Sequence, residues 1–476
     1  MTRAPTHHAQ RIAWIEAIRV LAVVMLLLYH AQLLFTGYAF TPKPTGLEAN
    51  LQQLATPTPL TEQGWLWWFV SLMSWFGYQF VDVLVLVSGF SLVRSLQGRP
   101  LQTGRFLRKR LLRVLLPYWV VAVLAYPILW AIANATNGYM PDLWHIFAGL
   151  TFPLLFDFSG DMLLRTNLSW WVVPLILSFT LLFPWLWMLL ERWGKANLLW
   201  VSLGLTLVYR AIAVYWLDGH PVYVVLDSTA GWQPFALFLA KLSTFVLGMV
   251  VGVLAIEQRG PLMWQFRRAL LIGLLLYLTG FVAQFYRLGW VIADLLLPIG
   301  LTLVCMAVFR PMAHPNWVKQ MLVWLGKHSY SYYLVQFFVV DRAIKLIVRD
   351  DARLYTLLLP GMIVGTLILA MVVEATYPVL RSFGAGVIRD LDFVLHRSPT
   401  ASALPSWHPQ VGEAVFYRGL SHWKVLKTER LLDEHEMLLC QISDGQRSLW
   451  VPEADLEPSE TAAAETEAND TTPFSL

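Results

Sequence analysis

The chain has 476 residues, of which 57% are hydrophobic and only 14% charged, and its mean hydropathy is +0.55. Soluble domains carry about a quarter charged residues, so this balance excludes an ordinary soluble protein and marks an integral membrane protein. A net charge of +4 gives no basis for nucleic-acid binding, and two widely separated cysteines, Cys305 and Cys440, exclude a disulfide framework or a cysteine-rich metal site.

The N-terminus, "MTRAPTHHAQRIAW", leads into an apolar run with no small-residue cleavage site after it, so the run is expected to remain as a helix. A membrane helix needs about 20 mostly apolar residues. Ten such segments are predicted, at roughly 15–36, 66–93, 112–133, 170–190, 197–217, 234–256, 269–286, 290–309, 329–348 and 355–380. The second is long enough to tilt or to contain an interfacial turn. The ninth carries Asp341, Arg342 and Lys345 and is expected to end early and surface amphipathically. Lys and Arg in the short loops set orientation. Arg94, Arg99, Arg105, Arg108, Lys109, Arg110 and Arg113 crowd one loop, and Arg349 with Arg353 forms the cluster that runs against the rule. Both termini are therefore expected in the cytoplasm, with the chain in the inner or plasma membrane. The 23 Trp, 17 Tyr and 26 Phe fit interfacial belts or the lining of a binding cavity.

The fold class that follows is an all-α polytopic membrane protein of about ten helices with a small cytoplasmic β-rich domain. Residues 1–397 form the membrane domain, 398–408 ("SPTASALPSW" and its neighbour) a linker, and 409–458 a small β-barrel or sheet with a turn at "SDGQR". The acidic-polar residues 459–476 are expected to be disordered. The β-rich domain is a regulatory or stabilising appendage, or the docking point of a protein partner.

The first helix carries Glu16, Arg19 and His30. Arg19 and His30 are 11 residues apart, three full turns, so they share a face and lie about 16 Å apart along the axis. Glu16 precedes Arg19 by three residues and can pair with it. Charged groups at membrane depth face the bundle interior or a wet cavity. The stripe is either structural, an ion pair plus a helix-bridging imidazole, or catalytic, with His30 as a general base for a hydroxyl. In the second span, Asp82 is another intramembrane acid, and Ser88-Gly89 permits close approach of backbone, to a helix or to a substrate. Arg110 and Arg113, at i and i+3 where the third span begins, suit a polyphosphate or mark ordinary cytoplasmic charge.

These pieces together resemble the membrane-bound acyltransferase family 3, ten-helix O-acyltransferases of cell-envelope saccharides. "WIEAIRVLAVVMLLLYH" is similar to its opening motif of acid, Arg, ten residues and His. "VDVLVLVSGF" is similar to its second-helix motif, and "RFLRKRLLRVLLPYW" to its Arg-x-x-Arg loop. "FVLGMVVG" and "LGKHSYSYYLVQ" are similar to later motifs. The resemblance covers roughly residues 11–380 and implies transfer of an acyl group, usually acetyl, from cytoplasmic acyl-CoA to an acceptor hydroxyl of a saccharide at the outer side. Acyl-CoA is then a co-substrate, with no bound cofactor and no metal.

Residue by residue, the resemblance implies His30 as the catalytic base, with Arg19 and Glu16 (in place of the usual Asp) supporting it. It implies Arg110, Arg113, Ser88 and Gly89 on the donor. Trp170, Trp171, Asp82 and Gln336 are candidates for the acceptor. Two departures matter. Ile176 stands where many members have Glu, and "NLSWWVVPLILSF" is closer to the branch that includes glucan succinyltransferases. Gln336 stands where many have His, and Gln cannot shuttle protons near neutral pH. Trp65, Trp67, Trp68 and Trp75, near the expected outer side, can stack on sugars or anchor the chain. The alternative from another class is a transporter or flippase of an envelope precursor using the intramembrane charges as an ion path. A sensor or scaffold acting through its soluble tail leaves the His30 stripe without a purpose.

Overall fold

The structure, a computed structural model, describes residues 12–37, 43–56, 60–96, 99–136, 142–155, 167–222, 233–312, 315–395, 409–417, 420–431, 437–445, 448–452 and 456–458. The expected linker and the C-terminal acidic tail lie outside the described residues. Contacts divide the chain into two units, Met1–Ala385 and Gly386–Leu476.

The first unit is helical. Its elements are α1 (Ala13–Phe35), α2 (Leu47–Ala55), α3 (Trp65–Trp75), α4 (Phe80–Leu96), α5 (Thr103–Thr136), α6 (Leu143–Leu155), α7 (Val172–Tyr215), α8 (Gln233–Ile256), α9 (Phe266–Ala283), α10 (Gly289–Met312), α11 (Asn316–Ala343) and α12 (Ala352–Leu395). Among the described residues, eight helical stretches are long and apolar enough to cross a membrane. The expected number of about ten is approximate, and two features account for the difference. α7 has 44 residues; straight, it would measure about 66 Å, twice the roughly 30 Å hydrocarbon core. It breaks at Gly194, whose φ of 79° and ψ of 169° are not helical. The predicted spans 170–190 and 197–217 lie on either side of that break. α11 is the other feature: it is 28 residues long but, with its Ser, Tyr, His and Gln, too polar to count by composition.

Two details go beyond a plain reading of hydropathy. The predicted second span is divided at a 3-10 turn, Gly77–Gln79, between α3 and α4. The ninth ends its α-helical part early, as expected: α11 stops at Ala343 and passes into a π-helical turn, Ile344–Val348, which ends at Arg349 with φ 52°. Along this stretch Asp341, Ile344 and Val348 are buried while Lys345, Leu346 and Ile347 are exposed, and Asp341 pairs with Lys345 at 2.7 Å.

The motifs turn out to be packing surfaces. A Cβ on Gly89 would stand 2.2 Å from the Phe245 carbonyl oxygen, and one on Gly248 would stand 2.1 Å from that of Leu86. "SGF" of α4 and "LGM" of α8 therefore meet backbone to backbone, the small-residue contact by which membrane helices associate.

The second unit is a five-stranded antiparallel sheet in the order β4-β3-β2-β1-β5. The strands are β1 (Ala414–Tyr417), β2 (Leu420–Leu431), β3 (Met437–Ser443), β4 (Ser448–Pro452) and β5 (Leu456–Pro458). Strand alternation places Val415, Trp423, Val425, Cys440, Ile442, Val451 and Leu456 in one core. The expected turn at "SDGQR" falls between β3 and β4, with Ser443 opposite Ser448 and Gly445 at φ 86°; its Gln446 and Arg447 lie outside the described residues.

Candidate active site

The stripe on α1 is built as its spacing requires. Arg19 donates from Nη1 to Glu16 Oε1 at 2.8 Å and from Nη2 to Ser91 Oγ at 2.7 Å. Ser91 in turn donates to the Val87 carbonyl at 2.6 Å. Arg19 thus ties α1 to α4. The hydroxyl it uses is three residues beyond Ser88, in the same "SGFS" stretch.

Glu16 is 3% exposed and lies against α11. A Cβ on Gly326 would be 2.3 Å from Glu16 Oε2 and 2.6 Å from Glu16 Cβ. The glycine of "LGKHSYSYYLVQ" is therefore the surface that admits the acid of the first motif. Gly326→Ala is expected to lower stability by about 1–3 kcal/mol through overpacking, measured as the melting temperature in detergent. An unchanged melting temperature would remove this role.

Arg110, in the first turns of α5, is partly buried, and its Nε has no hydrogen-bond partner among the described residues. It is within electrostatic reach of both Arg113 and Arg19. Three guanidinium groups thus gather near one end of α1. Tyr330 of α11 closes this side by donating to the Val114 carbonyl at 2.9 Å.

His30 lies three turns along α1. Its ring meets Phe337 edge-on at 5.4 Å and Tyr29 at 5.7 Å, and its Nδ1 is buried without a hydrogen-bond partner among the described residues. Glu16 touches Gly326 and His30 touches Phe337, so α1 and α11 run side by side in the same direction. Gln336 is fully buried on α11 at the His30 end.

The remaining candidates lie in other surroundings. Trp170 is 3% exposed; its Nε1 donates to the Leu334 carbonyl at 2.8 Å and its ring meets Tyr118 edge-on at 5.0 Å. Tyr333 donates to the Ser169 carbonyl beside it. Trp170 therefore braces α11, while Trp171 is half-buried. Gly89 faces α8, the helix alternative of the two left open by the sequence.

Asp82 belongs to a buried set of four charges. Lys241 Nζ lies 2.8 Å from Asp82 Oδ1 and 3.0 Å from Asp294 Oδ2, and Arg210 Nη1 lies 3.1 Å from Asp294 Oδ2. Arg210 Nε also donates to the Val291 carbonyl at 2.9 Å. In the loop after α7, His220 meets Trp290 edge-on at 5.0 Å. Burial pushes its pKa down to about 3, so it is neutral near pH 7.

Sequence reasoning missed Lys241, Asp294 and Arg210, although each is a lone charge inside an apolar run. It also missed a second polar group at the arginine end. His328 Nδ1 lies 2.6 Å from Glu374 Oε2, Ser331 donates to Glu374 Oε1 at 2.7 Å, and the Ser331 and Tyr377 hydroxyls are 3.0 Å apart.

A bundle of membrane helices that carries an Arg–His stripe on its first helix and arginines at one end of that stripe has the form of a membrane acyltransferase. The chain belongs to the acyltransferase 3 family, whose model, an acyltransferase domain, matches residues 12–375. No curated protein and no solved structure matches the chain.

Proposed function

We propose that this membrane acyltransferase takes its acyl group, acetyl in the simplest case, from acyl-CoA and passes it to a hydroxyl of an envelope saccharide. Donor phosphates bind Arg110 and Arg113 at the cytoplasmic side of the inner or plasma membrane, the side on which both termini lie. The acceptor approaches from the outer side. The observation that carries this reading is the placement of Arg19. It stands near Arg110 and on the same helix face as His30, so one stripe leads from a cationic end to an imidazole about 16 Å away. A polyanionic donor with a long neutral arm fits that separation of charge and base. His30 accepts the proton of the attacking hydroxyl, and Arg19, held by Glu16 and Ser91, supports the donor path.

The four-charge set around Lys241 gives the transporter alternative no advantage, because each of its charges already has an opposite partner. The test is transfer of labelled acetyl from acetyl-CoA by the purified protein in proteoliposomes. Mass spectrometry of envelope glycans from cells with and without the protein accompanies it and reads the added mass. Arg110→Ala and Arg113→Ala are each expected to weaken acyl-CoA binding tenfold or more, since a charge-assisted hydrogen bond contributes about 1.5–3 kcal/mol. Undiminished donor binding in the double variant would count against the phosphate role.

A further inference from the structure

The polar side chains of "HSYSYYLVQ", residues 328–336 of α11, divide into two sets. His328 and Ser331 bind Glu374, Ser329 donates to the Gly326 carbonyl at 2.9 Å, Tyr330 donates to Val114 and Tyr333 to Ser169. Tyr332 and Gln336 differ. They are 4% and 0% exposed, and neither the Tyr332 hydroxyl nor either amide atom of Gln336 has a hydrogen-bond partner among the described residues. Being four residues apart, they share one helix face. An unpaired buried polar group costs about 1–3 kcal/mol, so this face carries a cost that the rest of the motif avoids. A buried polar group left unpaired in a native structure calls for an explanation, and a binding or catalytic role is one that such groups serve.

The two residues follow the line of the α1 stripe. Tyr332 borders a cavity of about 190 Å³ together with Val20, Val23, Val24, Ile363 and Leu367. Gln336 lies one turn farther from the arginine end, next to Phe337, whose ring packs on His30. We propose that this face binds the reactive half of the acyl donor. The Gln336 amide N–H donates to the thioester carbonyl oxygen, and the Tyr332 hydroxyl, one turn nearer the arginines, bonds an amide of the donor's arm. The assignment rests on the donor and base roles given above. In the reaction the acceptor oxygen bonds to the carbonyl carbon and its proton passes to His30. The carbon–sulfur bond then breaks, and the departing thiolate takes that proton. Charge on the carbonyl oxygen is largest midway, which is when the Gln336 N–H contributes most.

The test uses the full-length protein in detergent or proteoliposomes, with acetyl-CoA as donor. Gln336→Leu is expected to lower kcat by about 10²–10³-fold, the effect of removing one oxyanion donor, with KM for acetyl-CoA within about threefold. Its melting temperature should be unchanged or higher, because the unpaired amide is gone. Gln336→Met, which keeps the length of the side chain but has no hydrogen-bond donor, should lose kcat likewise. Tyr332→Phe should raise KM for acetyl-CoA about threefold or more, with kcat near wild type. A lower melting temperature in Gln336→Leu, whatever its rate, overturns the assignment, since the amide would then serve the fold. Full kcat in Gln336→Leu beside an active wild type overturns it alone. An inactive wild type overturns the underlying reading as well.

Discussion

His30→Gln is expected to lower the rate of acyl transfer by about 10²–10⁴-fold, the range that a positioned general base contributes, while leaving the melting temperature close to wild type. The second half of this expectation follows from the surroundings of the ring. His30 is held by aromatic contacts with Tyr29 and Phe337, and its buried Nδ1 has no hydrogen-bond partner among the described residues, so none of their buried polar groups is orphaned when it changes. Gln keeps the hydrogen-bonding capacity of the side chain but cannot accept a proton. The pH profile separates the roles further. An imidazole accepts a proton only while neutral, so the wild-type rate should fall on acidification through its titration, and the residual rate of His30→Gln should lack that limb. Full activity in the variant, measured with acetyl-CoA in proteoliposomes, would sink the assignment of the base. Retained donor binding with lost turnover would support it.

The parts of this molecule legible in its sequence are those that depend on local periodicity. Apolar runs of about twenty residues gave the spans, and the 3.6-residue repeat put Glu16, Arg19 and His30 on one face; the hydrogen bond from Arg19 to Glu16 joins the first two of them. Alternation gave the C-terminal strands. What was not legible depends on long-range pairing. Lys241 meets Asp82 across 159 positions and Asp294 across 53, and nothing local to any of the three names its partner. The same holds for Gly326, whose purpose is visible only once Glu16 is placed against it. Ser88 and Ser91 are equivalent by composition, and only the geometry of α1 against α4 selects Ser91 as the partner of Arg19. Trp170 could have presented a face to a sugar; the Leu334 carbonyl fixes it as a brace because Asn167 and Ser169 set the turn that precedes α7.

Lys241→Met is expected to destabilise the protein by about 3–5 kcal/mol, the cost of leaving a buried carboxylate unpaired. The burden falls unequally on the two acids. Asp294 retains Arg210 at 3.1 Å, whereas Lys241 is the ion-pair partner of Asp82 among the described residues. Asp82 thus becomes the uncompensated charge, inside α4 and 6% exposed. Adding Asp82→Asn should recover most of the loss, because an ion pair removed whole costs far less than one removed by half. The melting temperatures of the two single variants and the double variant form the cycle that measures this. A single variant no less stable than wild type would show that the pair does not hold the helices. The double variant also tests Asp82 as an acceptor-binding residue. The four charges join α4, α7, α8 and α10, and α4 is the helix whose Ser91 holds Arg19. If the pair serves only the fold, restoring stability restores Arg19 and transfer returns with it. If the double variant folds as well as wild type yet transfers poorly, and its KM for the acceptor has risen while that for acetyl-CoA has not, Asp82 acts on the acceptor directly.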